Sequence, residues 1–265
     1  MSLNLNELHL FTSVKYNYYQ TGLTSVNFLL KTIFNYHWFI SLEINSDWNA
    51  YKLTEALGIN VCPYCNRQRT FVVKSGNNKI TRPELDHFLP KSEHPILALS
   101  FYNLIPSCNV CNRDLKGEIS FSYETHLSPY EKNSKHELMK FDYRPLSYEG
   151  AAGISEEIKI NVIPDNGLDA QLRRKVEGNI NTFKYDAINE NLKDTVQEII
   201  YKRYISDDDY IQILKQTFPK INLSESEAYK LAYGNFFDER DFAKRPLSKM
   251  TKDIAHNVGA LKKHE

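Results

Sequence analysis

Residues 60–69 read NVCPYCNRQR. The string Cys62-Pro63-Tyr64-Cys65 serves two chemistries: a dithiol redox centre, or one half of a zinc site. A second pair decides between them. Cys108 and Cys111, in SCNVCN, repeat the Cys-x-x-Cys spacing after a gap of 42 residues. Each pair can place two thiolates on one tight turn, and two such turns complete a tetrahedral sulfur shell. All four cysteines of the chain are then used. A redox dithiol needs only one pair, and a thioredoxin-like α/β frame around it, whereas here a hairpin-like stretch follows the first pair. A four-thiolate shell leaves no open position, so the expected zinc is structural. It would tie the loop before the hairpin to the start of a later helix.

Composition sets the frame around this cluster. The chain has 265 residues, with 42% apolar and 25% charged side chains and a net charge of zero. That profile is globular, and 17 Tyr and 14 Phe supply ample core material. Zero net charge gives no global sign of a polyanion partner, although a local patch can act alone. Residues 1–10 carry no basic run and no short apolar stretch with a cleavage site, so no targeting signal is expected. The most apolar segment, residues 26–44, is interrupted by Lys31, Asn35, His37 and Glu43; it suits a buried helix rather than a membrane span. The expectation is a cytoplasmic protein without membrane association. There, cysteines stay reduced and read as metal ligands or redox groups.

The expected fold class is α+β, with a small zinc-braced core (residues 59–120) between a helical N-terminal region (1–58) and a mostly helical C-terminal region (121–265). Residues 24–57 have helical spacing in Phe28, Leu29, Ile33, Phe34, His37 and Ile40. Ser46 is the expected N-cap of a helix reaching Leu57, stopped by Gly58. Residues 69–74 and 79–87 read as a hairpin around a turn at 75–78. A short helix over 109–116 ends at Gly117. Strands are expected near 138–143 and 157–163 around a Gly-containing loop. One long amphipathic helix is expected over 169–204, carrying Leu172, Val176, Ile180, Phe183, Ile188, Leu192, Val196 and Ile199 on one stripe. Ser224 and Glu227 form a capping-box pattern for a helix that Gly234 ends. Residues 247–261 read as a last helix, and the acidic run 207–209 as a solvated helix start.

Between the cysteine pairs lies ELDHFLPKS (84–92), and after it YNLIPS (102–107). The order Cys62-x-x-Cys65, Asp86-His87, Asn103-Leu104, Cys108-x-x-Cys111-Asn112, Lys116-Gly117 resembles the HNH endonucleases of ββα-metal architecture, in the branch braced by two zinc knuckles. The resemblance runs from Cys62 to Gly117, about a fifth of the chain. Each piece alone is common, but the full order is specific. The resemblance implies hydrolysis of phosphodiester bonds, leaving a 5′-phosphate and a 3′-hydroxyl. His87 suits a general base, because an imidazole titrates near working pH. Asp86, on the other face of an extended strand, is expected to hold a hard cation, Mg²⁺ or Mn²⁺. By resemblance Asn112 is the second ligand of that ion, and Asn103 holds the base's ring in orientation. His94, before Pro95, reads as a loop histidine.

Charge fits a phosphate partner. Residues 62–118 carry eight Lys or Arg against five Asp or Glu, a local net of +3 in a neutral chain. Lys91, Arg113 and Lys116 lie nearest the motif and are the expected phosphate contacts. No base-reading element is visible. The leading expectation is a metal-dependent endonuclease acting on DNA. The wording of the motif is similar to stand-alone bacterial HNH proteins of anti-phage systems. The Septu-type systems among these imply a separate partner ATPase of the ABC or AAA-like class. No Walker A string occurs in this chain. The alternative is a non-catalytic, zinc-braced nucleic-acid-binding or adaptor module.

Overall fold

The structure, a computed structural model, describes residues 24–131, 138–205, 210–217 and 222–259. It combines helices with small antiparallel sheets, an α+β architecture. The N-terminal region is helical in three pieces: α1 (Thr24–Ile33), α2 (Tyr36–Ser41) and α3 (Ala50–Leu57). The cap of α3 is Asn49 rather than Ser46. Its side-chain oxygen accepts from the N–H groups of Tyr51 and Lys52 at 3.0 and 3.1 Å. Its amide nitrogen meanwhile donates to the carbonyls of Glu43 and Ile44. An amide can satisfy both sides of a buried helix start, which a serine hydroxyl cannot do as fully. Gly58 ends the helix with a left-handed φ of +62°, as expected.

The hairpin is shorter than its sequence suggests. β1 (Val73–Ser75) pairs with β2 (Asn78–Thr81), and the ladder stops there. Pro83 has no N–H to continue it. The chain re-enters extended structure as β3 (Glu84–His87), which pairs antiparallel with β4 (Leu104–Ser107). Asp86 lies opposite Ile105, and His87 opposite Leu104. A π-helical turn, Val110–Lys116, follows at the expected place and is closed by an i to i−5 bond from Gly117 N–H to Asn112 O, 3.0 Å.

Further along, β5 (Met139–Pro145) and β6 (Ile158–Pro164) form the expected antiparallel pair around the short α4 (Tyr148–Ala151). The expected helix over 169–204 is instead three: α5 (Ala170–Thr182), α6 (Tyr185–Asn189) and α7 (Lys193–Ile205). The first break falls at Lys184, which is left-handed with φ +47°. Its cause is packing. Phe183 and Tyr185 are both buried, and in one continuous helix they would face opposite sides. The break turns both toward Tyr64: the Phe183 ring stacks on the Tyr64 ring at 4.5 Å, and the Tyr185 hydroxyl donates to the Tyr64 carbonyl. After α8 (Tyr210–Thr217), the capping box of Ser224 and Glu227 opens α9 (Glu225–Tyr233), and Gly234 ends it, as expected. The last helix, α10, spans Ser248–Asn257. The expected acidic start at 207–209 and the end of the last helix at 260–261 lie outside the described residues.

One buried cluster contains the four cysteines, Tyr64, Phe88 and Ile105 together with Phe141, Ile158, Phe183, Tyr185, Val196, Tyr229 and Met250. Residues 59–120 and 121–265 thus share a core. A smaller cluster of Phe39, Ala50, Leu53, Leu85 and Leu104 seats the N-terminal helices against β3 and β4. Among the described residues, no helix is long and apolar enough to cross a membrane.

Candidate active site and metal centre

The first cysteine pair sits on a tight loop. Cys62 N–H donates to Gln68 O, and Cys62 O accepts from Asn66 N–H, each at 2.8 Å. Asn66 takes the left-handed conformation, φ +52°, that such a loop needs. The second pair straddles the end of β4 and the start of the π-helical turn. All four sulfur atoms are buried and lie within 4.8 Å of one another, with Cys65 and Cys108 at 4.0 Å. A zinc tetrahedron with bonds of about 2.3 Å has sulfur–sulfur edges of roughly 3.8 Å. A disulfide needs about 2.05 Å, and all four cysteines are free. Backbone N–H groups of Arg67 and Cys111 point at Cys65 Sγ and Cys108 Sγ, both 3.4 Å. Mutual hydrogen bonding in the quartet lowers the Cys65 and Cys108 thiols, while burial of Cys62 and hydrogen bonds to Cys111 raise those two; a bound cation would favour the thiolate at all four. The site fits a structural zinc ion.

The knuckle is also gripped from the C-terminal region. Asn66 donates through its side chain to Phe242 O at 3.1 Å and accepts Leu247 N–H at 2.7 Å on its backbone oxygen. The cysteine loop is therefore a junction between the core segment and the last helix.

Beside this centre, β3, the π-helical turn and α2 border an open cleft of about 730 Å³. Its lining includes Tyr36, Arg82, Glu84, Asp86, His87, Lys91, Asn112, Arg113 and Lys116. His87 is half-buried, and its Nε2 lies 2.9 Å from Ala98 O. A carbonyl can only accept, so Nε2 carries the proton and Nδ1 is the basic nitrogen. The Tyr36 ring meets the His87 ring edge-on at 4.5 Å. Burial lowers the imidazole pKa to about 4, so the ring is neutral at pH 7.

The other expected residues are placed less simply. Asn103 is buried and holds backbone: it accepts Leu89 N–H at 2.7 Å and donates to Leu89 O and Leu97 O at 3.0 and 3.1 Å. It acts on His87 through backbone: its own carbonyl accepts Phe88 N–H at 3.0 Å, directly after His87, and its amide holds Leu97, next to the Ala98 carbonyl that fixes the ring. Asn112 donates to Glu84 Oε2 at 2.7 Å, and Arg113 pairs with the other Glu84 oxygen. Lys91 lies over the Tyr36 ring at 4.5 Å. Arg113 is solvent-exposed at the cleft margin.

Lys116 is no surface phosphate contact. Its side chain is 4% exposed, and Nζ lies 2.7 Å from both carboxylate oxygens of Asp86. Tyr64 donates to Asp86 Oδ2 at 2.6 Å. Asp86 is thus fully engaged, and as folded its carboxylate does not fit a divalent ion: an ammonium already neutralises it. Among the described residues, the cysteine quartet is the only group of three or more His, Cys, Asp or Glu side chains close enough to share a metal.

Two participants were not visible as such in the sequence. Glu84 shares a face of β3 with Asp86, a relation that strand alternation alone could have exposed. Tyr36 comes from an N-terminal helix and carries no local signal.

No protein-family model matches the chain. No solved structure matches it significantly. One curated relative, Septu protein PtuB of Bacillus thuringiensis, is 29% identical over 102 residues. That similarity spans 37% of this chain and 37% of the relative's own length.

Proposed function

We propose that the chain is an endonuclease of the HNH type that hydrolyses phosphodiester bonds in DNA, with His87 as general base. The observation that carries this reading is the placement of His87: fixed as one tautomer by Ala98 O, with Nδ1 left as the basic nitrogen, and set in a cleft with Lys91 and Arg113. A phosphate in that cleft would meet both cations, which favour a polyanion and offset the charge that builds on the phosphoryl oxygens as phosphorus is attacked. Nδ1 would take a proton from a water. The water oxygen attacks phosphorus, the P–O3′ bond breaks, and the departing oxygen takes a proton from solvent. The products carry a 5′-phosphate and a 3′-hydroxyl. The Mg²⁺ or Mn²⁺ that the HNH resemblance implies at Asp86 and Asn112 enters no step here, because Lys116 holds Asp86.

Similarity to the Septu protein supports a role in bacterial anti-phage defence; the separate ABC or AAA-like ATPase partner rests on the motif resemblance alone. A zinc-braced nucleic-acid-binding module without catalysis is the second reading, and the neutralised Asp86 favours it.

Cleavage of supercoiled plasmid by the zinc-loaded protein separates the two. It would be run with Mg²⁺, with Mn²⁺ and with EDTA, beside His87→Ala. Cutting that disappears in the variant is the expected result. DNA binding without cutting, by both proteins, supports the binding module. Equal cutting by both removes His87 from the base role.

A further inference from the structure

Two carboxylates two residues apart on β3 meet two residues four apart on the π-helical turn. Glu84 meets Asn112, and Asp86 meets Lys116. Alternate strand residues share a face, and a turn closed by i to i−5 bonding brings residues four apart to nearly the same side. The result is a two-rung ladder that fixes the turn to the strand. Its inner rung is the more enclosed. Lys116 Nζ contacts both Asp86 oxygens at 2.7 Å and His87 O at 2.5 Å, and lies 4.6 Å from the Phe121 ring centroid. A cation surrounded by carboxylate and carbonyl oxygens is the environment a hard divalent ion also selects.

We propose that Lys116 is the resident cation of the Asp86 position, and that its ammonium excludes a divalent ion from that carboxylate until the lysine is withdrawn. The two occupants compete for the same oxygens. An ammonium 2.7 Å from both leaves no room for a metal bonded to either at about 2.1 Å, and the two charges repel. The side chain enters from the end of the turn, next to Gly117. Lys116 is the last residue of the turn and Gly117 follows it with φ +49°, whereas Cys108 and Cys111 lie at the turn's start. The proposal rests on the nuclease reading only for the expectation that a divalent ion belongs in this cleft.

The test is Mn²⁺ binding to the zinc-loaded chain, read by electron paramagnetic resonance without nucleic acid, so its outcome is independent of whether the protein cuts. Lys116→Ala is expected to gain one Mn²⁺ per chain, held at least tenfold more tightly than any ion bound by the wild type. Mn²⁺ should also raise the melting temperature of this variant, because it replaces a lost buried charge. Lys116→Ala/Asp86→Asn should lose both effects. Equal Mn²⁺ binding by wild type and Lys116→Ala overturns the proposal. If Lys116→Ala does not fold, Asp86→Asn alone decides. Unchanged Mn²⁺ binding relative to wild type supports occlusion by Lys116, whereas loss of a bound ion shows that Asp86 already holds metal beside the lysine.

Discussion

His87 Nε2 lies 2.9 Å from the backbone oxygen of Ala98, and this contact assigns the ring's proton. With Nε2–H committed to a carbonyl, Nδ1 is left as the basic nitrogen. Burial lowers the pKa to about 4. Imidazole NMR should therefore show His87 as the Nε2–H tautomer across pH 5–8, titrating near 4. If His87 is the base, the acid limb of the cleavage profile should follow that value. Titration of His87 at its ordinary value near 6.5 contradicts the buried placement.

His126 adds a second acid-sensitive group. It stacks on Phe121 at 3.7 Å, and burial, with Lys116 nearby, lowers its pKa to about 4 as well. Both histidines have folded pKa values below the unfolded 6.5. Between those values the unfolded chain binds protons that the folded chain refuses. Stability is therefore full above pH 6.5, falls as the pH drops, and is fully reduced below 4. The loss is up to ~3 kcal/mol for each ring. Denaturant melts of wild type and His126→Gln at pH 7 and 4.5 measure this: the variant should lose less stability on acidification.

The cysteine quartet should hold one zinc ion per chain. Structural zinc contributes about 10–16 kcal/mol in small modules, against about 5–15 kcal/mol for the net stability of an ordinary domain. The cysteines lie in one core with Phe183, Tyr185 and Met250. Cys62→Ser or Cys108→Ser should therefore lose the metal and loosen the C-terminal helices as well as the loop. Metal analysis with circular dichroism checks both. A metal-free variant with native melting would remove zinc from the account of this fold.

Local signals in the sequence located much of this. The Cys-x-x-Cys pairs, the capping box at Ser224 and the glycine stops at Gly58 and Gly234 depend on neighbours a few residues away, and each appears where expected. The errors fall where distant packing decides. Lys184 breaks a regular helical stripe because Phe183 and Tyr185 both need the Tyr64 side of the core. Lys116 looked like a surface cation on a basic segment, yet Asp86, thirty residues away, draws it inward. Charge counting reads the number of cations but not their direction. Pro83 is a fair counter-example: its missing N–H was legible, and it divides the expected second strand.

Asn103 fixes the segment that fixes the base. Its side chain makes three hydrogen bonds to the backbone of Leu89 and Leu97. Asn103→Leu keeps a similar volume and orphans those three groups, each at about 1–3 kcal/mol when buried. A destabilisation of at least ~3 kcal/mol is expected in denaturant melts. The loosened 97–98 segment should also release His87 from its single tautomer. A variant of native stability would mean that water replaces the amide.

Tyr36 is where the N-terminal helices reach the site. Its ring covers the edge of His87 at 4.5 Å and underlies Lys91 at 4.5 Å, while its hydroxyl donates to Leu85 O at 3.2 Å. The ring packs on His87, and the hydroxyl serves the strand. Tyr36→Ala should let water reach the imidazole and raise its pKa from about 4 toward the ordinary 6.5. It should also free the Lys91 ammonium from its aromatic support, a contact of about 0.5–1 kcal/mol at a partly exposed site. Tyr36→Phe keeps the ring and should leave the His87 titration where it is, at the cost of one hydrogen bond to the strand. Imidazole NMR across pH 3–8 on both variants separates shielding from general damage. A parallel rise in both would assign the effect to the hydroxyl, and no rise in either would place the desolvation of His87 elsewhere in the cleft.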